Sequence, residues 1–137
     1  MNADVAKKWV DALRSGDYSQ GKGRLCSVTE DDDKYFCCLG VLCDLYEREH
    51  SDMYGITQVV EEKIDFDYDY DIKHEVYYNH NNLTLPQSVM EWSGIKHGDG
   101  TFTSDIEGET SLALLNDENG LTFDEIANII ERIENKL

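Results

Sequence analysis

Tyr35-Phe36-Cys37-Cys38-Leu39-Gly40-Val41-Leu42-Cys43-Asp44-Leu45-Tyr46 places three of the chain's four cysteines in one apolar run. Its spacing predicts a helix from Cys37 to about Glu49. Only Gly40 and Asp44 interrupt the apolar surface up to Tyr46, so this helix should be buried on most sides. A helix apolar all round needs other elements packed about it, which predicts a single core with this segment at its centre.

Working outward, Leu25–Val28 and Lys34–Phe36 read as short strands around the turn Thr29-Glu30-Asp31-Asp32-Asp33. Residues 17–24 form a Gly-rich, locally basic loop. Before it, Val5, Trp9, Val10 and Leu13 line one face of a helix over Ala3–Arg14, ended by Ser15-Gly16 with Gly16 as a left-handed cap. Downstream, Ile56–Tyr78 alternates β-branched and aromatic residues with acids, which predicts a hairpin or small sheet. Leu85-Pro86 opens a short helix with Trp92 on its inner face. Thr101-Phe102-Thr103 is a short strand, and Thr110–Asn116 a further helix. Thr122 and Glu125 make a capping box at the start of the last helix, whose stripe is Ile126, Ile129, Ile130 and Ile133. The fold class is α+β: one compact domain over residues 1–137, with a central Cys-rich helix, short hairpins and a C-terminal helical pair.

The 137 residues carry 29 acidic against 12 basic side chains, a formal charge of −17. Such a field repels polyanions, so direct nucleic-acid binding is disfavoured and basic partners are favoured. Leu112–Ile133 resembles a helix–turn–helix, but its Asp124, Glu125, Glu131 and Glu134 would repel a phosphate backbone. No run of about 18 apolar residues exists to span a membrane. The polar N-terminus lacks a secretory core, so the expected location is the cytoplasm, with reduced thiols.

Asp65, Asp67, Asp69 and Asp71 alternate with Phe66, Tyr68, Tyr70 and Ile72. On a strand these carboxylates share one face at a repeat of about 6.6–6.8 Å, a spacing comparable to that of successive phosphates along a nucleic-acid strand. Such a face suits the DNA-binding groove of a basic protein, with Tyr68 and Tyr70 as partner contacts. The simpler alternative is a solvated strand face.

Cys37 and Cys38, near a helix N-terminus, have the position of a papain-like nucleophile. His74 or His80 would follow in the right chain order. No hydrolase signature flanks them, acidic surroundings raise a thiol pKa, and cysteine is commonly a core residue. Cys26, Cys37, Cys38 and Cys43, with His50, match no common zinc spacing, so no metal or cofactor is expected. Gly16-Asp17-Tyr18-Ser19-Gln20-Gly21-Lys22-Gly23 lacks the Ser or Thr of a P-loop and follows a helix instead of a strand. A weaker version has Lys22 and Arg24 holding a nucleotide phosphate, with Trp9 as the aromatic partner. Asp65-x-Asp67-x-Asp69 and Asp117-x-Asn119-Gly120 lack the glycine or end ligands of a calcium loop.

Four blocks, in order, are Lys8-Trp9-Val10-Asp11-Ala12-Leu13-Arg14-Ser15-Gly16, Cys37-Cys38-Leu39-Gly40-Val41-Leu42-Cys43, Leu85-Pro86-Gln87-Ser88-Val89-Met90-Glu91-Trp92-Ser93-Gly94, and Leu115-Asn116-Asp117 with Leu121-Thr122-Phe123-Asp124-Glu125-Ile126-Ala127. Together they resemble a family of small, largely uncharacterised proteins of tailed phages and their bacterial hosts. Residues 51–80, with the Asp/aromatic ladder, look like a variable insertion in that pattern. The resemblance implies a phage accessory protein in a bacterial cytoplasm and brings no chemistry with it. The expected function is binding to a host or defence protein in takeover or counter-defence. The alternatives are the thiol hydrolase and a nucleotide-signal sponge.

Overall fold

The structure, a computed structural model, describes residues 1–50, 57–60, 72–106 and 108–137. Helix α1 (Ala3–Arg14) begins at Asn2, whose side chain accepts from the Asp4 and Val5 amides, and it buries Val5, Trp9, Val10 and Leu13. Its C-terminal end is followed by Gly16 at φ +80°, the left-handed geometry expected there. Strands β1 (Ser19–Gln20), β2 (Cys26–Thr29) and β3 (Lys34–Phe36) precede α2 (Cys38–Glu49), the Cys-rich helix, with Cys37 as its N-cap.

Strands β4 (Thr57–Val60) and β5 (Ile72–Tyr78) pair antiparallel, as the sequence pattern predicts, and join the first three in a sheet of order β1-β3-β2-β5-β4. Strand β5 pairs with β2 and carries Val76 and Tyr78 into the core, so the end of the 51–80 segment forms an interior strand of the sheet. The ladder residues Asp65, Asp67, Asp69 and Asp71, with Tyr68 and Tyr70, lie outside the described residues. Helix α3 (Gln87–Ser93) follows Pro86. The hairpin β6 (Thr101–Ser104) and β7 (Gly108–Ser111) leads into α4 (Leu112–Asp117) and α5 (Phe123–Ile133).

Residues directly opposite across antiparallel strands share a face. Cys26 stands opposite both Phe36 and Val76, so these three point together into the core. Ser27 stands opposite Tyr35 and Glu75 on the other, polar face. Helix α2 lies on the apolar side, with Cys38, Leu39, Val41, Leu42 and Cys43 all buried. It approaches the sheet so closely that a Cβ on Gly40 would sit 1.7 Å from the Leu25 carbonyl oxygen. Only glycine permits that contact.

Two local readings change. The Gly-rich loop contains β1, held parallel to β3; two residues leave no period to read, and long-range pairing creates the strand. Thr110 and Ser111 belong to β7, because they stand opposite Phe102 and Thr101, and the helix starts at Leu112 with Ser111 as its N-cap. The capping box of Thr122 and Glu125 forms as expected.

Candidate functional site

Three of the four sequence blocks meet at the N-terminus of α2. The indole Nε1 of Trp9 donates to the Cys38 carbonyl at 2.9 Å. The Cys38 amide, unpaired within its own helix, donates to Asn116 Oδ1 at 3.2 Å. Asn116 is fully buried. Its Nδ2 donates to the Gly21 carbonyl at 2.9 Å and to Asp117 at 2.8 Å. Gln20 closes the network: Nε2 donates to Asn116 Oδ1 at 2.9 Å and to the Leu121 carbonyl at 2.8 Å, while Oε1 accepts from the Phe123 amide. One buried amide thus ties together the Gly-rich loop, α2 and α4, and Gln20 adds the start of α5. Every polar atom of the Asn116 side chain has a partner, which leaves it nothing to offer a ligand.

The thiols are part of the same interior. All four cysteines are free and buried. Cys37 Sγ accepts from the Gly40 amide at 3.4 Å, the arrangement that would stabilise a thiolate. Burial outweighs it and pushes the Cys37 pKa up to about 12; Cys26 is pushed to about 12 for the same reason, and full burial raises Cys38 and Cys43 well above the ordinary thiol value. Neutral, inaccessible thiols are poor nucleophiles. No hydrogen bond joins a thiol to an imidazole among the described residues: His80 is exposed in the turn after β5, and His74 has a buried Nδ1 without a partner. No group of three His, Cys, Asp or Glu side chains is placed to hold a metal among the described residues.

The three residues considered for a nucleotide phosphate are separated by their surroundings. Trp9 is 0 % exposed, so neither indole face is open to a base. Arg24 is paired with Glu75 through Nε on the polar face of the sheet, and Glu75 also accepts from Asn82 Nδ2 at 3.1 Å and Tyr77 Oη at 3.2 Å. Lys22 alone is exposed.

The acidic groups have a different arrangement. The β2–β3 turn presents Glu30, Asp31, Asp32 and Asp33, all exposed. Its backbone is ordered by Thr29, whose carbonyl accepts from the Asp32 amide at 3.0 Å and whose Oγ1 accepts from the Asp33 amide at 3.2 Å. Thr29 stands opposite Ile72, the first residue of β5, and Val60, the last of β4, stands opposite Glu75. Both flanks of residues 61–71 therefore sit at the end of the sheet that bears the acidic turn. Residues 61–71 contribute Glu61, Glu62, Asp65, Asp67, Asp69 and Asp71 to the sequence against the single cation Lys63. Among the described residues nearby, Lys73 is taken up by Asp32 at 3.1 Å.

Sequence reasoning missed Asn116 and Gln20 as connectors and the position of Glu30–Asp33 at the same sheet end as Val60 and Ile72. The one available signal for Asn116 was an amide set among Leu112, Leu114 and Leu115 in a short helix. No helix among the described residues is long and apolar enough to cross a membrane.

A small α+β fold with a Cys-rich central helix is the class this architecture defines. Within it, residues 1–134 match DUF8296, a domain of unknown function, and the chain belongs to that family. No curated protein and no solved structure matches it.

Proposed function

We propose that this chain is a non-enzymatic phage accessory protein that acts by binding a host or defence-system protein. Its acidic sheet end docks on a basic surface, of the kind that otherwise grips nucleic acid, in the manner of a DNA mimic. The observation that carries this reading is the meeting of the Glu30–Asp33 turn with both flanks of residues 61–71 at one end of the sheet. The four exposed carboxylates of that turn, on a chain of charge −17, create a strong local potential. That potential steers basic partners and opposes nucleic acid itself. The buried thiols and the satisfied Asn116 network favour neither the thiol hydrolase nor the nucleotide sponge.

Affinity capture from a bacterial lysate, with and without competing duplex DNA, tests it. The native chain should retain a basic protein that high salt and DNA both release. Changing Asp65, Asp67, Asp69 and Asp71 together to Asn should abolish retention while the thermal midpoint is preserved. Undiminished retention by that variant would sink the assignment of the surface.

A further inference from the structure

We propose a second binding site, independent of the acidic sheet end: a groove between the β6–β7 hairpin and α5 that takes a short peptide segment with an apolar anchor side chain and an adjacent carboxylate. The groove encloses about 320 Å³, with Phe102, Leu115, Ile129 and Ile133 as its apolar walls. A second hollow, of about 360 Å³, lies against the opposite face of the hairpin, where Thr103 stands opposite Glu109, and is separate from this groove.

Charge selects the occupant. Of the cationic side chains among the described residues, Lys22, Lys34, Lys96 and Arg132 form no ion pair, and of these Arg132 lines the groove. Lys136 is held on the rim by Asp105 at 3.2 Å and the Thr103 carbonyl at 3.4 Å. Two cations, Arg132 and Lys136, thus face one acid, Asp105, on a molecule whose net charge is −17. Arg132 stands in the last turn of α5, where the helix dipole favours a cation. Its guanidinium remains available to a carboxylate, for which its planar fork is suited. The overall field repels a polyacidic segment, so a single carboxylate beside the apolar anchor is the fitting chemistry.

Ile106, at the hairpin tip, supplies the other half of the argument. It is 93 % exposed and lines the same groove. A large aliphatic side chain held in water beside an apolar trough gains by being covered. A peptide laid in the trough covers it from the groove side.

The test is an amide-resolved NMR titration of the full chain with a pool of acetylated pentapeptide amides. Each carries Leu, Ile, Phe or Trp at the anchor and Glu next to it, and matched pools carry Gln or Lys there instead. Saturable shifts should appear at Phe102, Leu115, Ile129 and Arg132 with the Glu pool. The Gln pool should bind about threefold more weakly, as expected for one exposed ion pair, and the Lys pool more weakly still. Arg132→Gln should remove the Glu preference without weakening the Gln pool, and Ile106→Ser should weaken all three. No saturable shift in the groove, or a Glu preference that survives Arg132→Gln, overturns the proposal. So does a concentration-dependent dimer in sedimentation that Ile106→Ser dissolves, because the groove then belongs to a second copy.

Discussion

The N-terminus of α2 and the acidic end of the sheet are opposites in how their polar groups are answered. Around α2, buried Asn116, Trp9 and the Cys38 backbone, with half-buried Gln20, satisfy one another. At the sheet end, Glu30, Asp31 and Asp33 project into water, and among the described residues only Asp32 of the turn has a cation. Polar residues in the first region hold the fold together, because an unpaired polar group there would cost its full desolvation. In the second they hold little, since exposed charges contribute small stability terms. Groups that stabilise nothing within the molecule are the ones free to act on something outside it.

The most severe way to break this contrast is Gly40→Ala. The added Cβ meets the Leu25 backbone at 1.7 Å, so α2 must leave the sheet. We expect a loss of about 3 kcal/mol or more, enough to unfold a small domain, seen in urea denaturation or as lost soluble yield. Asn116→Ala should cost about 2–3 kcal/mol by stranding the Cys38 amide and the Gly21 carbonyl. A loss below about 0.5 kcal/mol would show that water replaces the amide and that the hub is not closed.

The thiols sharpen the same point through pH. Burial raises the native pKa of Cys26 and Cys37 to about 12, against about 8.5 in an unfolded chain. A raised native pKa means that the unfolded state loses its protons first. The stabilisation is therefore fully present below about pH 8.5 and lost as pH rises through about 12. The urea midpoint should fall over that window. Iodoacetamide at pH 7.5 should label the native protein about a thousandfold or more slowly than the urea-unfolded chain. Rapid native labelling of one thiol would reopen the nucleophile reading.

Thr122→Ala, which removes half of the capping box, should cost about 1 kcal/mol. At the bottom of the scale, Asp31, Asp32 and Asp33 changed together to Asn should shift stability by no more than about 0.5 kcal/mol, yet weaken capture of a basic partner. If that triple variant unfolds, the acidic turn is a structural device after all, and the contrast between the two regions fails.

Much of the architecture was legible. Val5, Trp9, Val10 and Leu13 mark α1 by their period, Thr122 and Glu125 mark the start of α5, and the apolar run at 37–46 marks the buried helix. What could not be read were elements made by pairing alone. Strand β1 is two residues long, and β7 consists of Gly108-Glu109-Thr110-Ser111, whose polar character gives no strand pattern until it lies against β6. The candidate sites divide similarly. The density of acids is written in the composition, but the meeting of the 30–33 turn with the flanks of 61–71 follows from the register of β2, β5 and β4.

Local order along this chain comes from periodicity, capping and charge, which act over a few residues and are therefore visible in the sequence. The roles of individual polar residues come from partners far away: Asn116 reaches Cys38 across 78 positions and Gln20 across 96. No local pattern encodes such a separation. Tertiary packing alone turned the cysteine run into protonated core, made Asn116 its anchor, and left the acids and the α5 groove facing outward.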